Sequence, residues 1–233
     1  MRSILAALLL LAPFPALAQN CPAPLAGAQK LVLVIAETLS SNTATLQRFT
    51  RASPQSPWQP DGGATTALIG RNGMGWGYAF RGLARPGEPV KTEGDKRVPI
   101  GFYRVGASFG FAPSTRAGYR QLREGAVCVD DVDSSAYNTI TSRSRIGMQV
   151  HGENMARVPH YRHGLLVDYP SSRASRGGSC IFIHLWMPGS KGTGGCVALP
   201  EPQLVSLQDF AKTGAVLAVL PRQALDRFKG CLP

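Results

Sequence analysis

The chain has 233 residues, and its 25 lysines and arginines outnumber 14 acidic residues, which gives a formal net charge of +11. This length suits a single domain with a substantial core. The scattered basic charge favours carboxylate-rich or polyanionic partners, although solubility alone is an equally good explanation.

The first 18 residues have the pattern of a cleaved signal peptide. Arg2 precedes an apolar run over residues 4–11, and Ala16-Leu17-Ala18 supplies a small-residue cleavage pattern. The run is too short to span a bilayer, and no later segment is long and apolar enough. We therefore expect no membrane span, export to the periplasm, and one domain over residues 19–233. Nucleic acid is then a poor partner, and bacterial cell wall is a better one.

The predicted elements are mainly short strands. In chain order the strands lie at residues 31–36 and 43–50, which should form a hairpin, and then at 65–70, within 93–106, at 164–169, 180–186 and 216–220. The glycine-rich stretch 70–80 lacks the Gly-Lys-Ser/Thr of a nucleotide loop, and it indicates close backbone packing. Helices are predicted near residues 153–158 and, with apolar periodicity, over 201–212. This pattern predicts a mainly-β fold with one or two short helices.

The cysteines are odd in number. An exported protein meets an oxidising compartment, so at least one of the five is left over or pairs between chains. If Cys196 is the free one, three connectivities remain. We favour Cys21–Cys231, which would join the termini, and Cys128–Cys180.

His184 and Cys196 are the best candidates for chemistry. In a strand, His184 shares one face with Cys180, Phe182 and Trp186. Twelve residues then separate it from Cys196, enough for the chain to return and place the thiol beside the imidazole. A histidine within hydrogen-bond reach lowers a thiol's pKa by forming an ion pair, and it shuttles the proton.

The glycines before Cys196 fit the same chemistry. Gly194 and Gly195 remove side chains around the nucleophile, so that a carbonyl can approach and backbone N–H groups can donate to its oxyanion. One such donor contributes roughly 3 kcal/mol in the transition state. This predicts acyl transfer through a thioester. The competing interpretation is a core histidine and a disulfide cysteine in a glycine turn.

Two segments, EGDKRVPIGFY and IHLWMPGSKGTGGCVALP, resemble the L,D-transpeptidase catalytic-domain (YkuD-like) family in residues and order. The matching positions are Gly94, Asp95, Arg97, Pro99, Gly101 and Phe102, then His184, Thr193, Gly195 and Cys196. The resemblance covers most of the predicted mature chain. It implies an L,D-transpeptidase-like β-sandwich with the cysteine in a groove.

The resemblance also implies a function. A periplasmic enzyme of this family would crosslink donor and acceptor peptidoglycan stem peptides through a thioester on Cys196, without a metal or other cofactor. His184 would be the base, and the N–H groups of Gly195 and Cys196 would help form the oxyanion hole. Leu185 and Ala198 stand where many members have Gly and Arg. The long insert before the histidine resembles a divergent proteobacterial branch, whose members can join L-alanine of one stem to diaminopimelate of another (a 1,3-type crosslink).

Five residues are candidates for substrate binding: Thr193, Gly194, Trp186, His163 and Tyr169. Trp186 and Tyr169 are strand aromatics, so packing in the core competes with that role. His163 is predicted to flank the groove, because a strand follows it.

The remaining histidines and the acidic run are expected to be structural. His151 and His160 show no metal spacing, and Asp130, Asp131 and Asp133 fit a solvated turn better than a cation site.

Two other functions use the same residues differently. Water instead of an amine could resolve the thioester, which would make the protein a peptidoglycan peptidase or amidase. Alternatively, the protein could be a non-catalytic wall-binding module with Cys196 in a disulfide. We expect a monomer in each case.

Overall fold

Eight strands close into a barrel in this computed structural model, which describes residues 21–233. The predicted signal peptide lies outside the described residues. The strands are β1 (Lys30–Ala36), β2 (Thr43–Thr50), β3 (Gln59–Leu68), β4 (Met74–Trp76), β5 (Val98–Gly110), β6 (Arg120–Gln121), β7 (Ala126–Cys128), β8 (Ile140–Ser142), β9 (Glu153–Asn154), β10 (His163–Asp168), β11 (Phe182–Leu185), β12 (Val197–Leu199) and β13 (Ala215–Pro221).

The helices are few and short. The α-helices are α1 (Ala23–Ala26), α2 (Arg143–Ile146) and α3 (Glu201–Ala211), and 3-10 helices span Tyr78–Leu83, Met155–Arg157, Pro159–Arg162 and Arg222–Phe228. No helix in residues 21–233 is long and apolar enough to cross a membrane.

Barrel closure depends on β5. The strand order is β10-β11-β12-β3-β2-β1-β13-β5, and β5 then pairs with β10. Val105 lies between both neighbours, opposite Ala215 of β13 and Val167 of β10. The mainly-β prediction is confirmed, but the strands form a closed barrel where a sandwich was expected. The strand β5 is 13 residues long and pairs with β13 along one edge and with β10 along the other. This closure leaves the barrel without free sheet edges.

The site lies where the barrel wall meets a smaller sheet. β11 is buried on both faces: Ile183 and Leu185 join the main core, whereas Phe182 packs in a second cluster with Phe109 and Tyr161. The second sheet, in the order β8-β7-β9, carries part of that cluster. The predicted alternation of the β11 side chains is therefore confirmed.

Both predicted disulfides are present. Cys21–Cys231 joins the two ends of the described chain, and Cys128–Cys180 fastens β7 to the segment that leads into β11. Cys196 is the free cysteine of the described residues. The alternative in which Cys196 forms a disulfide is therefore wrong for this structure.

Some predicted strands and helices agree with the structure, and strand pairing explains where others differ. The β1–β2 hairpin and the amphipathic helix α3 are confirmed. β3 starts at Gln59 instead of residue 65, because β2 pairs with it along nearly its whole length. The helix predicted at 153–158 is wrong: Glu153 pairs with Cys128 of β7, and only Met155–Arg157 forms a turn of 3-10 helix.

The glycine-rich stretch packs closely against neighbouring backbone, as predicted. A substitution at Gly70 tests how much this close packing contributes to stability. A Cβ built at Gly70 would lie 2.4 Å from the Val98 nitrogen and 2.6 Å from the Gly73 oxygen. Because these are backbone atoms, we expect Gly70→Ala to reduce the free energy of unfolding by about 1–3 kcal/mol. Urea denaturation measures this. Gly63→Ala is the matched control, since nothing lies within 4 Å of its Cβ position; equal losses in both variants would contradict the packing argument.

Candidate active site

A cavity of about 590 Å³ brings Cys196 and His184 together. Its wall is built from β11 and the residues after it, from the turn that leads into β12, and from the segment around β9. β11 and β12 are parallel neighbours, with His184 opposite Ala198. The chain therefore leaves β11, loops outward and returns with Cys196 directly before β12.

Cys196 is buried, with 6% of its surface exposed. Its Sγ accepts the Phe182 N–H at 3.3 Å and donates to the Cys180 carbonyl oxygen at 3.4 Å. Burial raises the pKa of the thiol to about 12, although the Phe182 N–H opposes the shift. The resting side chain is thus a neutral thiol at pH 7.

His184 is equally buried and is oriented by a backbone carbonyl. Its Nδ1 donates to the Leu185 oxygen at 2.9 Å, which leaves Nε2 as the unprotonated acceptor. The rings of Tyr161 and His160 stand edge-to-face against the imidazole at 5.5 Å. Burial lowers the pKa of His184 to about 4, so this base is neutral at pH 7.

The resting pair differs from the ion pair that the sequence predicted. Within the described residues Cys196 and His184 form no hydrogen bond. The thiol donates its hydrogen bond to the backbone carbonyl of Cys180 instead. Burial disfavours both charged forms. A hydrogen bond between the two side chains would therefore require the thiol to turn from the Cys180 carbonyl towards His184.

The turn before Cys196 is organised by Thr193. Its hydroxyl donates to the Cys196 carbonyl at 2.6 Å and accepts the Gly195 N–H at 3.1 Å. The Gly195 N–H is therefore occupied, contrary to the oxyanion role predicted for it. The N–H groups of Gly194 and Cys196 have no partner in residues 21–233, so they are the donors that remain for an oxyanion.

Three of the five predicted substrate-binding residues line the cavity: Thr193, Gly194 and Trp186. The other two do not. His163 Nε2 lies 3.3 Å from a carboxylate oxygen of Glu201 in α3. Tyr169 is buried, donates its hydroxyl to the Gly177 carbonyl and packs against Tyr103. Both side chains are taken up by contacts elsewhere in the fold.

Several lining residues were missed or treated as structural: Arg71, Asp130, His151, Glu153, His160 and Tyr161. They come from segments distant in sequence, so no local pattern could have grouped them. Among the described residues, the Arg71 guanidinium has no hydrogen bond or ion pair. Arg71 itself is placed by backbone contact, since its N–H donates to the Thr193 carbonyl at 3.0 Å. Arg71 therefore adds a cationic residue to the lining of the cavity that contains Cys196, although position 198 is alanine.

No group of three or more metal-ligating side chains is arranged to hold a metal ion within residues 21–233. Comparisons of the chain with protein-family models, with curated proteins and with solved structures found no match.

The buried histidine predicts an acid-sensitive fold. Between pH 6.5 and 4 the unfolded chain binds a proton that folded His184 does not, so stability falls as pH falls. The difference corresponds to roughly 3 kcal/mol. We expect His184→Gln to remove most of this loss when urea unfolding at pH 7 and pH 4.5 is compared. His151→Gln, which alters a largely exposed ring, should retain it; an unchanged pH dependence in His184→Gln would contradict the burial argument.

Gly195 and Gly194 form a matched pair for testing the turn. Gly195 has φ +146°, and a Cβ there would lie 3.1 Å from the Arg97 oxygen, whereas nothing lies within 4 Å of a Cβ at Gly194. We expect Gly195→Ala to cost about 1–3 kcal/mol of stability and to change the alkylation rate of Cys196. Gly194→Ala should stay within about 0.5 kcal/mol of wild type. Urea unfolding and iodoacetamide kinetics measure both, and similar behaviour of the two variants would refute a special conformation at Gly195.

Proposed function

We propose that the protein is a periplasmic cysteine acyltransferase of the L,D-transpeptidase type, which crosslinks peptidoglycan stem peptides through a thioester on Cys196. The observation that supports this best is the free thiol of Cys196 in the same cavity as His184, whose Nε2 is an acceptor. Two disulfides elsewhere in the chain favour an oxidising compartment.

The proposed reaction has two balanced steps. In the first, Cys196 Sγ attacks an amide carbonyl of the donor stem while Nε2 of His184 takes the thiol proton; the C–S bond forms, the C–N bond breaks, and the amine leaves with that proton. In the second, an acceptor amine attacks the thioester; the new C–N bond forms, the C–S bond breaks, and the amine's proton passes through His184 to the departing sulfur. The Cys196 N–H is the proposed oxyanion donor.

The neutral resting pair fits this sequence of steps. A thiol that stays protonated until the substrate arrives reacts little with small electrophiles, and a neutral imidazole is ready to accept its proton. A substrate that excludes water and hydrogen-bonds in the cavity would replace the thiol's contact with the Cys180 carbonyl.

The sequence resemblance supports the proposed family and its mainly-β fold. Asp95 and Arg97 of the first resembling segment lie behind the turn of Cys196: Asp95 pairs with Lys91, and the Arg97 oxygen faces the Cβ position of Gly195. Leu185 and Ala198 depart from the family pattern. Arg71 is then the proposed cation for a substrate carboxylate, and an L-alanine-to-diaminopimelate crosslink is the proposed product.

Mass spectrometry of muropeptides tests the proposal. We expect wild-type protein, incubated with defined stem peptides, to form a new dimer whose fragmentation identifies the donor carbonyl. Cys196→Ala should form none, because it has no nucleophile. Thermal unfolding of both proteins controls for folding.

Other results of the muropeptide experiment would favour a different function. Shortened monomers without dimers would mean that water resolves the thioester, as in a peptidase or amidase. A Cys196→Ala variant with full activity would refute the nucleophile. No change in any muropeptide would favour a wall-binding module.

A further inference from the structure

Three carboxylates line the cavity of Cys196. Glu93 accepts the Tyr137 hydroxyl, and the other two come from β9 and from the residues after β7. Glu153 lies on β9, where it pairs with Cys128 of β7, and Asp130 follows two residues after that cysteine. The pairing of β7 with β9 thus brings together two acidic side chains that are 23 residues apart in the chain. We call Asp130 and Glu153 the acidic wall.

The acidic wall has no cationic partner from lysine or arginine. Within residues 21–233, no Lys or Arg nitrogen lies within ion-pair distance of Asp130 or Glu153. Asp130 contacts the largely exposed ring of His151, and Glu153 accepts the Tyr161 hydroxyl at 2.6 Å. In a chain with a net charge of +11, these two carboxylates line the cavity without an ion pair to a lysine or arginine of the described residues, although Arg71 lines the same cavity.

The remaining contacts connect the acidic wall to the reactive centre. Tyr161, which donates to Glu153, packs its ring edge-to-face on His184. His184 is buried, and its Nε2 has no hydrogen-bond partner among the described residues. The unpaired Nε2 of His184 and the two carboxylates of the acidic wall therefore belong to residues that line one cavity. Burial and the nearby Asp130 both raise the pKa of Glu153, and the Tyr161 hydroxyl and His160 only partly oppose that shift.

We propose that the acidic wall is the acceptor subsite, where Asp130 and Glu153 bind the ammonium group of an amine-bearing substrate in the cavity of Cys196 and take the proton that it must lose before its nitrogen can attack. This rests on the function proposed above and adds to it the place where the second substrate binds. An organic ammonium fits better than a metal ion, because no cluster of three or more ligands is present in the described residues. An ammonium donates two or three hydrogen bonds to carboxylate oxygens, and the acidic wall supplies these acceptors.

Binding to an inactive variant tests the subsite without requiring catalysis. The parent is Cys196→Ala, and the two probes are L-alanyl-γ-D-glutamyl-diaminopimelate and its twin acetylated on the side-chain amine. Isothermal titration calorimetry measures the dissociation constant of each. We expect acetylation to weaken binding to the parent at least tenfold, because it removes the positive charge.

Substitutions in the same background assign the effect to the wall. Glu153→Gln keeps an acceptor for the Tyr161 hydroxyl, and Asp130→Asn keeps the size of its side chain. In each we expect the penalty for acetylation to fall to about threefold or less. Glu124→Gln is the matched control: Glu124 lies just before β7, is exposed and pairs with Arg157 instead of lining the cavity. It should keep the full penalty, and the steric effect of the acetyl group is common to every variant.

The outcomes separate this proposal from the function proposed above. An equal penalty in parent, Glu153→Gln and Asp130→Asn, or no penalty in the parent, would overturn the acceptor subsite. Acylation of wild-type Cys196 by a donor stem, followed by intact-protein mass, reports the thioester independently. If Cys196 is acylated but acetylation of the probe does not weaken binding, Cys196 remains the nucleophile and the acceptor subsite is rejected. If acetylation weakens binding through the acidic wall but Cys196 is never acylated, the cavity binds an ammonium group and the transpeptidase function is rejected.

Discussion

The parallel pairing of β11 with β12 is the constraint on which the site depends. Parallel neighbours cannot be joined by a tight hairpin, so the chain leaves the barrel after Leu185 and returns at Cys196. The register sets His184 opposite Ala198, and it places the Cys196 sulfur against the Phe182 N–H. The candidate nucleophile and the candidate base are therefore positioned by backbone hydrogen bonds of a closed barrel, and little depends on flexible side chains.

Placement within the barrel wall also determines the protonation state. The site is enclosed by the aromatic rings of Phe182 and Tyr161 and by the disulfide at Cys180. Burial in such surroundings opposes a thiolate and an imidazolium alike. The same packing that fixes the geometry thus keeps both side chains neutral. In the proposed reaction, the substrate supplies the polar contacts that stabilise charge.

Local patterns were enough to predict part of this structure. The alternation of β11 followed from period-two burial. The pairs Cys21–Cys231 and Cys128–Cys180 were favoured among the three connectivities that remain when Cys196 is set aside, and both are present. The closed barrel could not be predicted in this way, because closure depends on β5 pairing with both β13 and β10. Strand length and apolar content do not reveal how many partners a strand has.

The candidate site likewise combines residues that local sequence patterns indicated with residues that only the fold brings together. Cys196, His184 and the glycine turn are close in sequence, so their spacing indicated them. The acidic wall was interpreted as a solvated turn and a helix, because the β7–β9 pairing that joins Asp130 to Glu153 is invisible in a local pattern. The role of Thr193 was missed for another reason. A hydroxyl that bonds the Gly195 N–H and the Cys196 carbonyl depends on the conformation of the turn, which residue types alone do not fix.

The electrostatics behind the turn explain how a buried cation is tolerated there. Lys91 is 2% exposed, and its Nζ lies 2.5 Å from Asp95 and 2.8 Å from the Thr92 carbonyl. Asp95 also accepts the N–H groups of Thr92 and Arg97, each at 2.9 Å. A buried ion pair offsets its desolvation only when such additional hydrogen bonds satisfy it. Because Asp95 already neutralises Lys91, this lysine gives Cys196 limited help in forming a thiolate. In the proposed reaction, the positive charge that stabilises the sulfur therefore comes from His184.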